Sequence, residues 1–136
     1  MAKVIALDVG TKRTGVAETD PMQIIATGLT TVKTANLVSF LKEYALREKP
    51  HCLVIGQPKR LHGELGNIEG FIVDLISKIQ KDLPDLPIER IDERFTSKMA
   101  FQTMIASGLK KKDRANKELI DEVSATIILQ SWLSKK

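Results

Sequence analysis

The sequence predicts an α/β domain with its elements in the order βββαβαβαα, and three observations predict it. The chain opens on a continuous apolar run, Val4 to Leu7, of the kind carried by a strand covered on both faces. Two later stretches repeat apolar residues at the three-and-four spacing of an amphipathic helix. A short apolar segment follows each of them, and strand–helix–strand alternation builds parallel sheet.

After the first strand, Gly10 and the polar residues through Arg13 supply a turn, and "TGVAET" reads as a second strand paired by a hairpin. "IIATGLTTV", beyond the loop marked by Pro21, reads as the third strand, its one glycine signalling a bulge. Between Ala35 and Glu48, Leu37, Phe40, Leu41, Tyr44 and Ala45 share a helix face, while Lys42, Glu43, Arg47 and Glu48 take the others. "CLVIG" is a buried fourth strand, parallel to an earlier one through a right-handed crossover. "QPKRLHGELG" turns polar and reads as a surface loop carrying Lys59, Arg60 and His62. Ile68, Phe71, Ile72, Leu75, Ile76 and Ile79 mark a second helix, closed by the prolines of "LPDLP". "IERID" is a short fifth strand. A third helix is expected from near Thr96 to Gly108, then the basic segment "LKKKDRANKE", then a last helix from about Lys117 to Ser134. Trp132, Phe71, Phe40 and Tyr44 fit core positions.

With 136 residues and 43% hydrophobic content, the chain is expected to form one domain, 1–136, around a core of its own. Its 21 Lys and Arg against 17 Asp and Glu leave a charge of +4, which favours a polyanion without specifying one. Cys52, the sole cysteine, excludes an internal disulfide and reads as a small core residue in a reducing compartment. No apolar run approaches the roughly 18 residues of a membrane span, and the N-terminus lacks a signal-peptide pattern. A cytoplasmic protein with no membrane partner is expected.

Carboxylates stand where a chain rarely puts charge. Asp8 ends the first apolar strand, where it must be solvated or neutralised by a partner such as a metal ion. On the last helix Asp121, Ala125, Ile128 and Trp132 are spaced four, three and four, so the acid heads an otherwise apolar stripe. A helix-start acid favoured by the dipole is the alternative reading, which Glu118 and Glu122 suit better. In "IDERFTS", Asp92 and Glu93 stand at the end of the fifth strand; an Asx turn, a cap or a solvated Glu93–Arg94 pair would also explain them. Parallel strands send their C-terminal ends to one sheet edge, where ligand sites of open α/β sheets collect. Carboxylates sharing a cleft repel, and a divalent cation relieves the repulsion. Mg²⁺ takes a few carboxylate oxygens together with waters and substrate phosphates.

"DVGTKRTGVA" near the start, "DERFTS" at the fifth strand and "IDEVSATIILQSWL" at the end resemble, in order and over nearly the whole chain, the YqgF family. That family belongs to the Holliday-junction-resolvase-like branch of the ribonuclease H superfamily, and its members are described as pre-16S ribosomal RNA nucleases. The resemblance implies an RNase H-like five-stranded mixed sheet with helices on both faces. It implies a nuclease site with Asp8, Glu93 and Asp121 as catalytic residues and Asp8, Asp92, Glu93 and Asp121 as candidate metal ligands. It implies Mg²⁺ or Mn²⁺, as two ions, and a cytoplasmic role in maturing the 5′ end of pre-16S rRNA. Two features depart from the family pattern. The loop after the fourth strand reads "GQPKRLHG" where "GLP" plus an apolar residue is usual, and Gly56, Gln57 and Pro58 offer no acid there. Glu93, Asp92 or Glu64 would have to fill that place.

In a two-metal reaction the ions would sit about 3.5–4 Å apart, one to activate water and the other to stabilise the leaving 3′ oxygen, and Asp8 would be the ligand shared between them. Gly10 and Thr11 would let backbone and hydroxyl donors approach a phosphate. Candidate phosphate contacts are Thr11, Lys12, Arg13, Lys59, Arg60, Arg94, Lys98, Lys110, Lys111 and Lys112. Arg94 would also brace Asp92. The partner is RNA, the pre-16S precursor, or structured DNA; aromatics at 4% argue against an extended stacking platform. A Holliday junction resolvase, which needs two sites on symmetric strands and hence a homodimer, is one alternative. A non-catalytic nucleic-acid-binding factor in transcription or ribosome assembly is another, and monomer and homodimer both stay open. "DVGT" also resembles the phosphate loop of sugar kinases and actin-like ATPases, but their cleft needs two such domains, and a Walker loop is absent.

Overall fold

The N-terminal apolar run becomes β1 (Val4–Val9), the central strand of a five-stranded sheet in the order β3-β2-β1-β4-β5. The computed structural model describes residues 2–57, 68–92 and 117–135, the side chains of 117–119 excepted. β2 (Arg13–Thr19) and β3 (Ala26–Lys33) form an antiparallel meander with β1, whereas β4 (Cys52–Gln57) and β5 (Ile88–Asp92) run parallel to it. The sheet is therefore mixed. Helices α1 (Leu37–Glu48) and α2 (Glu69–Asp82) supply the parallel crossovers, and α3 (Lys117–Ser134) closes the described chain.

Strand alternation splits the core into two layers. Ile5, Leu7 and Val9 of β1 pack with Val16, Leu53 and Ile55 beneath α1 and α2. Val4 and Ala6 pack with Ala17, Cys52, Val54 and Ile91 beneath Ala125, Ile128, Leu129 and Trp132 of α3. The second face is paved with small residues. Ala6, Gly15, Ala17 and Gly28 leave room for a helix to lie low on the sheet, and a Cβ at Gly28 would come 3.3 Å from the Thr126 hydroxyl.

The third strand begins later than the sequence predicts. Ile24 and Ile25 lie outside it and are exposed, because the Asp20 carboxylate accepts both their amides at 2.8 Å, and that of Met22 at 3.1 Å, in a tight turn. Those amides hold the Asp20 carboxyl below the usual carboxylate range. The expected bulge is present: Val16 pairs with Thr30 but Ala17 pairs with Gly28, which makes Leu29 the extra residue. Phe71 is a correction. The residue is 40% exposed, since the buried stripe of α2 runs through Glu69, Ile72, Leu75 and Ile79 and leaves Phe71 on the flank. The helix expected from Thr96 to Gly108 lies outside the described residues.

At the far end of β1 from Asp8, Lys3 Nζ lies 3.3 Å from carboxylate oxygens of both Glu18 and Glu48, and the buried Tyr44 hydroxyl donates to Glu18 at 3.0 Å. Burial, reinforced by the Glu18 charge, pushes the phenol above its ordinary value. Because the folded state holds this proton more tightly than the unfolded one, the contribution to stability is complete below about pH 10 and is lost as pH rises above it. Tyr44 is the chain's single tyrosine, so tyrosinate absorbance reads it alone. In an alkaline titration the signal is expected to stay silent past about pH 10 and to appear with unfolding. A tyrosinate rise centred near that pH with the fold intact would contradict the assignment.

Candidate nuclease site

Gly10 begins the turn between β1 and β2, and its N–H donates to the Arg13 carbonyl at 3.0 Å. A side chain at Gly10 would come within 2.5 Å of that carbonyl, so the tightness of the turn requires glycine. Thr34, just past β3, holds the turn from below. Its hydroxyl donates to the Gly10 carbonyl at 2.6 Å, its amide donates to the Lys12 carbonyl at 3.0 Å, and the Thr14 and Thr34 hydroxyls are 2.9 Å apart. The turn therefore presents Thr11, Lys12 and Arg13 from a fixed backbone at the end of β1.

Asp8 is half-buried and stands directly opposite Gly15 across the β1–β2 ladder, so both residues face α3. A Cβ built on Gly15 would overlap the backbone carbonyl of Asp121 and lie 3.0 Å from its Cβ. The absence of a side chain at Gly15 is what lets α3 bring Asp121 down beside Asp8. Asp121 heads the stripe that the spacing indicates, above the buried Ala125, Ile128 and Trp132. Arg13 Nε donates to Asp121 Oδ2 at 2.7 Å. Gly10, Thr11, Lys12, Arg13 and Asp121 line an open hollow of about 230 Å³.

The fifth strand ends at the same sheet edge, with Asp92 paired to Gln57 and Ile91 to Gly56. Ile91 packs under α3, on the Asp8 face, so alternation turns Asp92 to the α1–α2 face together with Arg90. There the structure holds a buried network that sequence reasoning missed. The Glu69 carboxylate accepts from Arg90 Nη2 at 2.8 Å and from the Gln57 amide at 2.9 Å, while Arg90 also donates to the carbonyls of Ile55 and Gly56 at 3.2 and 3.1 Å. This pins the ends of β4 and β5 to the start of α2. The signal was available: Glu69 stands three, six and ten residues before Ile72, Leu75 and Ile79 on the buried stripe, as Asp121 stands on its own. With side chains only 10% and 24% exposed, breaking the pair strands a charge. Glu69→Ala is expected to cost about 3 kcal/mol in urea unfolding, and replacing both partners with apolar residues of similar volume to recover most of it. A single substitution costing under about 1 kcal/mol would show that the pair is solvated.

The structure thus brings together Asp121, Thr11, Lys12 and Arg13, seats Asp121 on Gly15, the cross-strand partner of Asp8, and by strand alternation places Asp92 at the same edge on the opposite face. Glu93, Arg94, Lys98, Lys59, Arg60, Lys110, Lys111 and Lys112, with His62 and Glu64, lie outside the described residues. Among the described residues, no three His, Cys, Asp or Glu side chains gather to hold a metal ion. The oxygens on this edge fit a hard divalent cation: the carboxylates of Asp8 and Asp121 come from a strand and a helix that pack at Gly15, and the Arg13 guanidinium already stands as a positive charge against Asp121.

Sheet order, crossovers and helix placement define the RuvC-like fold of the ribonuclease H class. Over 99% of this chain and 96% of the other, it superposes on "T. thermophilus RuvC in complex with Holliday junction substrate" with a TM-score of 0.59 at 14% identity. A second Thermus thermophilus RuvC structure gives 0.57 at 15% identity, over 98% and 95% of the two chains. These likenesses carry the fold alone. The chain belongs to the family described as "RuvX: Holliday junction resolvase", whose pattern matches residues 2–135. Two relatives named "Putative pre-16S rRNA nuclease" are each 53% identical to it. The Flavobacterium psychrophilum protein matches over 100% of this chain and 99% of its own, and the Christiangramia forsetii protein over 98% of each. A relative of the same name from Bacteroides fragilis is 50% identical over 100% of this chain and 99% of its own. Among the described residues, no helix is long and apolar enough to cross a membrane.

Proposed function

We propose that this chain is a divalent-metal-dependent endonuclease that processes the 5′ end of pre-16S ribosomal RNA in the cytoplasm. The observation that carries the reading is the seating of Asp121 on Gly15, the cross-strand partner of Asp8, at the sheet edge, in a chain whose full-length relatives are named "Putative pre-16S rRNA nuclease". Asp8, Asp121 and Glu93 would hold Mg²⁺ or Mn²⁺, as two ions. Glu93 is preferred to Asp92 because Asp92 alternates to the other face. When bound, the ions would polarise the phosphodiester and lower the pKa of the attacking water.

The chain's own groups have separable tasks. Asp8 and Asp121 would supply hard oxygens from a strand end and a helix whose backbones pack together at Gly15. Lys12 and Thr11 line the hollow beside them and are placed to hold the phosphate on the substrate side of that pair. Phosphate contact of this kind fixes register without reading bases, so affinity is expected to fall steeply with salt.

The direct experiment incubates the protein with end-labelled pre-16S precursor, an unrelated single-stranded RNA and a four-way DNA junction, with Mn²⁺ or with chelator. Mn²⁺-dependent cuts at the mature 5′ end support the proposal. The family's description favours a second reading, junction resolution, which would show as paired symmetric nicks in the junction by a homodimer. Binding of all three substrates without cleavage would overturn both in favour of a binding factor.

A further inference from the structure

We infer that Arg13 is a resident counter-cation of the carboxylate site, which an incoming divalent ion displaces from Asp121 and thereby makes available to a substrate phosphate. The inference rests on the reading that Asp8 and Asp121 hold that ion.

Asp121 packs on Gly15, the cross-strand partner of Asp8, and a carboxylate there needs a positive charge beside it. Arg13 supplies that charge, with Nε 2.7 Å from Asp121 Oδ2. The contact runs from one N–H to one oxygen rather than through the paired fork that makes arginine–carboxylate pairs tight. The arginine side chain is 36% exposed and that of Asp121 23%, so the guanidinium has solvent to move into.

The backbones on both sides do not have that freedom. Asp121 is pressed by its own carbonyl against Gly15, and Arg13 is the first residue of β2, its carbonyl accepting from Gly10 and its Cα partnered with Lys33. What can move is the arginine side chain. A divalent ion on Asp121 and a guanidinium on the same carboxylate repel each other, so the ion binds against the energy of the existing pair. Once released, the guanidinium stays tethered at the rim of the hollow lined by Thr11 and Lys12, where a phosphate would lie.

Linkage makes the effect reciprocal: the ion frees Arg13 for phosphate, and a phosphate that takes Arg13 frees an Asp121 oxygen for the ion. Arg13 then positions substrate only when the site is loaded. This differs from a role as a fixed orienting partner of Asp121, which would make Arg13 a help to metal binding rather than a competitor.

The test is calorimetric titration of Mn²⁺ alone into wild type, Arg13→Gln and Arg13→Lys, none of which requires turnover. Arg13→Gln is expected to bind Mn²⁺ at least about fivefold more tightly than wild type, the factor that corresponds to releasing a half-exposed ion pair. In chelator it should melt below wild type, and it should gain more melting temperature on adding Mn²⁺. Arg13→Lys, which keeps the charge, should return close to wild-type affinity. Unchanged or weaker Mn²⁺ binding by Arg13→Gln would overturn the inference while leaving the metal site standing. Mn²⁺ binding that is absent from wild type, or indifferent to Asp121→Asn, would overturn the inference together with the site reading.

Discussion

Asp8→Asn is expected to reduce Mn²⁺-dependent cleavage by at least about a thousandfold, roughly 4 kcal/mol of lost transition-state stabilisation, with nucleic-acid binding retained. The substitution keeps the volume of the side chain and removes only the charge. Asp8 sits half-buried between two buried neighbours, Leu7 and Val9, so the strand holds its carboxylate in place. Its cross-strand partner is a glycine, which offers no substitute ligand. Cleavage within about tenfold of wild type would remove Asp8 from the site.

Gly15→Ala is expected to have the largest effect on the fold. The added methyl would overlap the Asp121 carbonyl, a backbone atom of α3, so no rotamer change relieves the collision and the helix must lift from the sheet. Overpacking of this severity costs about 3 kcal/mol, or a fall of about 10 °C in Tm for a chain of this size. Because the helix carries Asp121 with it, Mn²⁺ affinity should fall in the fraction that stays folded. Gly70→Ala is the control: on α2, with nothing within 4 Å of the new methyl, it is expected to be neutral or stabilising by up to about 1 kcal/mol. If the two alanine variants melted alike, α3 would not be seated on Gly15 as described.

Much of this arrangement is legible in the sequence, and the parts that are not have identifiable reasons. The unbroken apolar run of β1 told of cover on both faces, and both faces are covered. The glycine in the third strand marked its bulge. The start of that strand was misplaced because Ile24 and Ile25 look like strand residues, while a single preceding acid, Asp20, ties up their amides. Apolar periodicity cannot show such a local competitor. Asp121 was legible as a carboxylate on an apolar stripe, and Glu69 carried the same signal but was passed over amid the surrounding isoleucines. Asp92 and Glu93 were inseparable from spacing alone. The face taken by Ile91 assigns Asp92 to the side of Arg90, which strand alternation yields only once the packing of α3 is known. The role of Gly15 was out of reach for the same reason, since no local pattern tells which helix a glycine lets in.

The most direct measurement is an anomalous difference map from crystals soaked in Mn²⁺. One or more peaks coordinated by both Asp8 and Asp121, with the Arg13 guanidinium turned away from Asp121, are expected. Manganese bound elsewhere, with Asp121 still paired to Arg13 at full occupancy of the ion, would contradict the assignment of this edge as the metal-binding centre of a nuclease.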